Sequence, residues 1–316
     1  MSRAMSIEAA VPGDAAGGRA LPPAGFALLG ALSLFWGLNW PFMKIALGEI
    51  PVWPYRSLCL IVGGGTLLAL TTLGGRSLRI PLGQFRPLVV CTLFNVVGWQ
   101  LLSGYGVAAM PAGRASIVAF TMPVWAALLG RFMLGEALTR AKLIGLGLGV
   151  AGLAVLVGPD LRSLRSAPLG ALFMLGAALS WAIGTVLVKR VAWTLPVTAL
   201  AGWQLTLGSV PIVVGTLIMG DLPDPASISP AVWGALAYTL AIPMVFCYWA
   251  WFKVMSLFPA AIAAIGTLAV PVVGVFASAQ VLGEPVGARE LVALVLVCAA
   301  LAVVMVLPAW RRSAPS

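Results

Sequence analysis

The sequence predicts an all-α integral membrane protein of ten transmembrane helices, arranged as two inverted five-helix repeats with the N- and C-termini in the cytoplasm. Three observations carry that prediction. Of 316 residues, 61% are hydrophobic and only 9% charged, against about a quarter charged in soluble domains. Apolar runs of spanning length recur from one end of the chain to the other. A set of short motifs returns after a nearly constant interval.

Residues 1–24 are rich in Ala, Gly and Pro and carry Arg3, Glu8, Asp14 and Arg19. That is the composition of a disordered cytoplasmic tail rather than a signal peptide. The first apolar run, 25–44, contains Trp36, Asn39 and Trp40 with no small-residue cleavage site behind it, so it is expected to remain as a span. Runs at 53–73, 87–109, 112–133 and 141–158 complete a first unit, 25–158. Those at 168–188, 195–219, 231–252, 259–282 and 287–308 make up a second, 168–308, followed by a short cytoplasmic tail, 309–316. A hydrocarbon core about 30 Å thick takes about 20 helical residues per crossing, so ten crossings leave only short loops. Barrel strands alternate apolar and polar residues, and segments such as Leu143 to Val157 do not alternate.

An even number of spans puts both termini on one side. With that side inward, the inner positions hold 13 Lys and Arg and the outer positions 6, the asymmetry that marks cytoplasmic loops. The net charge of +10 is spread singly or in pairs between apolar runs, which argues against a nucleic-acid partner. The expected surroundings are a lipid bilayer, the bacterial inner membrane, crossed many times.

The repeat is read from fixed spacings. Pro111 and Pro123 are 12 residues apart, as are Pro259 and Pro271, and the glutamates of Leu134-Gly135-Glu136 and Leu282-Gly283-Glu284 stand 13 residues beyond the second proline of each pair. These anchors repeat after 148 residues, and Trp36 to Lys44 repeats as Trp181 to Lys189 after 145. Five spans is an odd number, so the second unit enters the membrane from the opposite side. Inverted repeats are a transporter signature, with a substrate site near the midplane between the halves.

The segment Phe35-Trp36-Gly37-Leu38-Asn39-Trp40-Pro41, the start Pro111-Ala112-Gly113-Arg114-Ala115 of the fourth span and the closing Leu134-Gly135-Glu136 resemble the EamA family of the drug/metabolite transporter superfamily. The resemblance covers about residues 25–308. It implies ten spans, cytoplasmic termini and solute export, and within the family the chain is most similar to the YddG-type exporters of aromatic and other neutral amino acids. The halves differ in places: Arg114 aligns with Ile262, and Asn39 with Gly184.

There is no histidine, and no Asp or Glu falls in the middle of a predicted span. General acid–base and metal chemistry need such groups, so neither an enzyme nor a metal site is expected, and no embedded carboxylate proton relay is visible. Gly63-Gly64-Gly65 lacks the Gly-Lys-Ser/Thr of a phosphate loop and suits close helix packing. No cofactor is expected. The four cysteines lie in apolar runs without redox or zinc spacing.

Candidate substrate-binding residues are the polar and aromatic side chains inside spans. Asn95, Trp99 and Ser103 recur every four residues and share one face of the third span. That stripe lines a cavity or links helices. Trp36 and Trp40 with Asn39 in the first span, Trp181 in the sixth, and Tyr238 and Tyr248 in the eighth carry the same two readings. Trp36 and Trp181 are repeat-related and fall in opposite halves of the membrane, as paired gate elements would. Lys44, Arg56 and Arg114 fall near outer span ends, where they draw an anion toward the exit or snorkel to the interface. Glu136 and Glu284, at span ends, are expected to serve helix termini.

The function expected from these residues is alternating-access export of small solutes. An aromatic lining without fixed carboxylates suits a net-neutral zwitterion with an apolar side chain, an aromatic or other neutral amino acid. The alternatives are other metabolites or cationic drugs, held by cation–π contacts, and a non-transporting membrane scaffold subunit.

Overall fold

The computed structural model describes residues 23–163, 168–257 and 260–306, and among these it is helical throughout, without strands. The first five helical segments are α1 (Pro23–Ala46), α2 (Val52–Leu73), α3 (Leu82–Ala109), α4 (Ala112–Leu134) and α5 (Arg140–Ser163). The second five are α6 (Pro168–Lys189), α7 (Val197–Met219), α8 (230–257), α9 (Ala260–Leu282) and α10 (288–306). Seven of them, α1 to α4 and α6 to α8, are long and apolar enough to cross a membrane. A helix of 22 residues, such as α2, is about 33 Å long. Of the expected tail 1–24, residues 1–22 lie outside the described residues and Pro23 and Ala24 open α1; the expected tail 309–316 and Pro259 of the motif pair also lie outside them.

Helix ends follow local chemistry. Prolines at positions 51, 81, 111 and 196 immediately precede α2, α3, α4 and α7, where a missing N–H costs nothing. Gly75, Gly135, Gly220 and Gly283 take φ near +70° where α2, α4, α7 and α9 end, a conformation glycine enters without a Cβ penalty. Gly75 and Gly220 are 145 residues apart, and Gly135 and Gly283 are 148 apart, so the stop signals repeat with the motifs.

The repeat extends to irregular features. π-Helical turns interrupt α3 at Leu93–Gly98 and α8 at Ile242–Cys247, at equivalent places in the two halves. α4 is broken at Phe120 and Thr121, whereas its counterpart α9 continues through Pro271.

Repeat-related helices pair with each other, and they run antiparallel. α2 packs on α7 with Ser57 Oγ 2.9 Å from Thr216 Oγ1, Gly64 against Thr206 and Leu68 against Gly202. α5 packs on α10 with Gly145 against Ala300 and Gly152 against Ala293. The remaining contacts interlock the halves: α1 lies against α8 and α9, and α6 against α3 and α4. Small residues set these approaches, as expected where lipid and protein interior are equally apolar.

The connections sort to two ends of the bundle. At one end the Glu49 carboxylate accepts from Ser229 N (2.7 Å), Lys44 Nζ donates to the carbonyls of Val107, Ala108 and Met110, and Glu284 reaches Ala112 and Gly113. At the other end Gln84 donates to Ala192 O, Trp203 to Leu78 O, and Arg190 to Met133 O. The 46–51, 110–111, 220–229 and 283–287 connections therefore share one end. The 74–81, 135–139 and 190–196 connections share the other.

Candidate functional site

The sequence-predicted residues do not converge on one ring; they fall into three neighbourhoods. Trp36 lies between α1 and α8, its ring centroid 5.7 Å from that of Trp251, over a cluster of Leu29, Leu32, Cys247, Ala250 and Val254. Tyr238 closes the same seam, donating its hydroxyl to Phe35 O (2.9 Å) and stacking on Phe42 at 4.3 Å. Asn39, three residues beyond Trp36 on α1, has a buried Oδ1 with no hydrogen-bond partner. Trp40 is 7% exposed and sits in the main core beside Gly274.

The central neighbourhood joins the halves. Trp99 of α3 and Tyr248 of α8 are both half-buried and pack on the core cluster that contains Tyr55 and Cys59 of α2. Each follows directly on the π-helical turn of its own helix, and such turns often occur at functional sites. Trp181 is half-buried on α6 and makes no ring contact with Trp36 among the described residues.

The third neighbourhood is a cleft of about 230 Å³ between α3, α6 and α7, lined by Asn95, Thr185, Lys189, Gln204 and the apolar Val188 and Leu200. Its lining reaches Lys189, at the last turn of α6. Asn95 Oδ1 is buried without a partner, and the Asn95 backbone lies so near Gly184 that a Cβ there would stand 2.7 Å from Asn95 N. The alignment of Asn39 with Gly184 thus has a packing reason: the second half gives up the asparagine so that α3 can approach α6. A volume of this size suits a small metabolite and lies below the range of drug-sized ligands.

The three cations expected near span ends turn inward. Lys44 caps the carbonyls that end α3, Arg114 pairs with Glu290 at 2.8 Å, and Arg56 is buried at 4% exposure. Snorkelling therefore does not describe Arg56, and sequence position alone gave no sign of its burial. Of the two motif glutamates, Glu284 accepts from Ala112 N (2.7 Å) and Gly113 N (2.9 Å), capping α4 across the repeat boundary. Glu136 instead pairs with Lys142 at 2.7 Å and Lys189 at 3.7 Å. The hydrogen bond from Lys142 holds the Glu136 carboxyl below the usual carboxylate range, and the Ser229 backbone N–H does the same for Glu49. Both loop carboxylates are thus ionised near neutral pH.

Comparison with known proteins agrees along nearly the whole chain. The EamA-like transporter family matches residues 23–158 and again 168–306. An uncharacterized transporter of Bacillus subtilis (strain 168), YvbV, is 31% identical over 283 residues, 88% of this chain and 90% of its own. A probable amino-acid metabolite efflux pump of Salmonella typhimurium is 28% identical over 281 residues, 84% of this chain and 89% of the relative. A crystal structure 20% identical in sequence shares the fold with a TM-score of 0.63, covering 90% of this chain and 98% of that one.

Proposed function

The chain belongs to the EamA-like transporter family, a multi-pass transporter of the bacterial inner membrane and not an enzyme, and from that premise we propose that it exports aromatic and other neutral amino acids by alternating access. The observation that carries this reading is the antiparallel pairing of repeat-related helices, α2 with α7 and α5 with α10. Two equivalent halves facing opposite ways can exchange conformations, and the exchange moves a site between them from one face to the other.

Amino acids are favoured by the chemistry of the candidate residues. Trp36, Asn39, Trp40, Asn95, Trp99, Trp181, Tyr238 and Tyr248 offer ring area and neutral polar groups, with no carboxylate among them. A relative named as an amino-acid metabolite efflux pump supports the same class. The test is purified protein in liposomes with a panel of labelled amino acids and no imposed pH gradient. Efflux of phenylalanine and other neutral amino acids down their own gradients is expected, and Trp36→Ala or Trp181→Ala should weaken phenylalanine about two- to tenfold while sparing alanine. Transport confined to solutes without an amino-acid group would overturn the substrate class.

All ten helical segments cross the membrane in this proposal, with both termini cytoplasmic. The support is the sorting of connections to two ends together with the 13 to 6 distribution of basic residues. A reporter active only in the cytoplasm should give signal when fused after Arg312 and none after Asp221. The reverse pattern would invert the topology.

A further inference from the structure

Arg56 stands in the second turn of α2, 4% exposed, and its partners are all neutral. Nη2 donates to Ser103 Oγ at 2.9 Å and lies 3.1 Å from Met43 Sδ; the guanidinium carbon is 5.4 Å from the centre of the Tyr55 ring. Nε is buried with no hydrogen-bond partner. Among the described acids at this end of the bundle, Glu49 is committed to Ser229 N, Glu284 to the start of α4, Glu290 to Arg114 and Asp224 to Ala226 N, and Asp221 is exposed. No carboxylate reaches Arg56 among the described residues.

A guanidinium cannot lose its proton to escape burial, and a thioether and a hydroxyl do not compensate a full charge in a low-dielectric interior. What such a group lacks is an anion. The vacant Nε and the adjacent Nη form the flat edge that takes a carboxylate through two parallel hydrogen bonds. Gly104 of α3 faces that edge: a Cβ there would stand 3.3 Å from Nε and 2.5 Å from Val52 Cγ1, so only a residue without a side chain fits beside the guanidinium, and Ser103 lies one helical turn along the same stripe from Trp99.

We propose that Arg56 recognises the carboxylate of the transported solute, with Ser103 positioning the guanidinium and Trp99 placed to meet the side chain. This deepens the amino-acid reading and rests on it. A carboxylate entering between α1 and α3 displaces the Met43 thioether, a weak acceptor, and compensates the guanidinium charge. The specificity that follows is for monocarboxylates and zwitterions over amines of the same shape.

The experiment compares L-phenylalanine, 3-phenylpropionate and phenethylamine as competitors of labelled phenylalanine efflux from liposomes. Arg56→Gln is expected to weaken phenylalanine and 3-phenylpropionate at least about tenfold and to leave phenethylamine unchanged, with Arg56→Lys in between because it keeps the charge and loses the fork. A folded Arg56→Gln protein that moves phenylalanine with wild-type affinity overturns the assignment and leaves amino-acid export standing. A second measurement needs no variant. The melting temperature of the wild-type protein should rise with 3-phenylpropionate and not with phenethylamine; equal shifts overturn the assignment even if Arg56→Gln fails to fold. Failure of export itself is seen separately, as a wild-type protein that moves no amino acid.

Discussion

Gly184→Leu is expected to abolish the monodisperse folded protein, and Gly184→Ala to destabilise it by about 1–3 kcal/mol, the range for forcing extra atoms into a packed interior. The reason is the contact between α6 and α3. A Cβ on Gly184 would meet the Asn95 carboxamide and stand 2.7 Å from Asn95 N. The side chain could rotate away, but the backbone nitrogen cannot retreat without separating the helices. Their approach is close along its length: Ser180 Oγ donates to Phe94 O at 2.8 Å, and Gly106 and Gly170 face Met174 and Ala109. Gly147→Ala and Gly65→Ala are the controls, since a Cβ at either position meets nothing within 4 Å. Those substitutions should be neutral or slightly stabilising through helix propensity. Size-exclusion profiles and melting temperatures in one detergent measure all four variants. A Gly184→Ala protein as stable as Gly147→Ala would mean that α3 and α6 do not need this approach.

The helices were legible in the sequence because lipid leaves few alternatives. Runs read at 53–73 and 112–133 are found as Val52–Leu73 and Ala112–Leu134, and the Leu-Gly-Glu motif marks the left-handed glycines that end α4 and α9. The third and eighth runs extend further than read, α3 from Leu82 and α8 to Leu257. Polar residues such as Gln84 and Lys253 lower the local hydropathy there without ending the helix. The pairing of side chains across the bundle was not legible. In a soluble helix the apolar stripe reveals which face is inward, but here both surroundings are apolar, and the rotation of α2 that buries Arg56 leaves no periodic trace. The dispersal of Trp36, Asn95 and Trp99 to separate neighbourhoods has the same cause. Spacing along one helix placed Asn95, Trp99 and Ser103 on a common face, whereas which helix faces each of them depends on contacts from 80 or more residues away, such as Ser180 on Phe94.

Glu284→Gln is expected to loosen one end of the bundle and leave the other unchanged. Glu284 gives both carboxylate oxygens to the first N–H groups of α4, Ala112 at 2.7 Å and Gly113 at 2.9 Å, where a negative charge meets the positive end of the helix. Its repeat counterpart Glu136 makes no such cap among the described residues and pairs instead with Lys142 and Lys189. The two ends are thus tied across the repeats by different contacts, a charged helix cap at one and ion pairs with carbonyl hydrogen bonds at the other, and alternating access opens the two ends at different times. Glutamine is nearly isosteric but offers one acceptor and no charge. A partly buried carboxylate at a helix start contributes up to about 2 kcal/mol, so its loss shifts a two-state balance by as much as about thirtyfold. Hydrogen exchange reads this directly: amides at the start of α4 should exchange faster in Glu284→Gln and at the wild-type rate in Glu136→Gln. Transport supplies the second reading, with Glu284→Gln changing apparent affinity from the Glu284 face of the membrane more than from the opposite face. If α4 is equally protected in both variants, Glu284 is a helix cap without a part in opening, and the closure of that end must be sought in the Lys44 and Glu49 contacts instead.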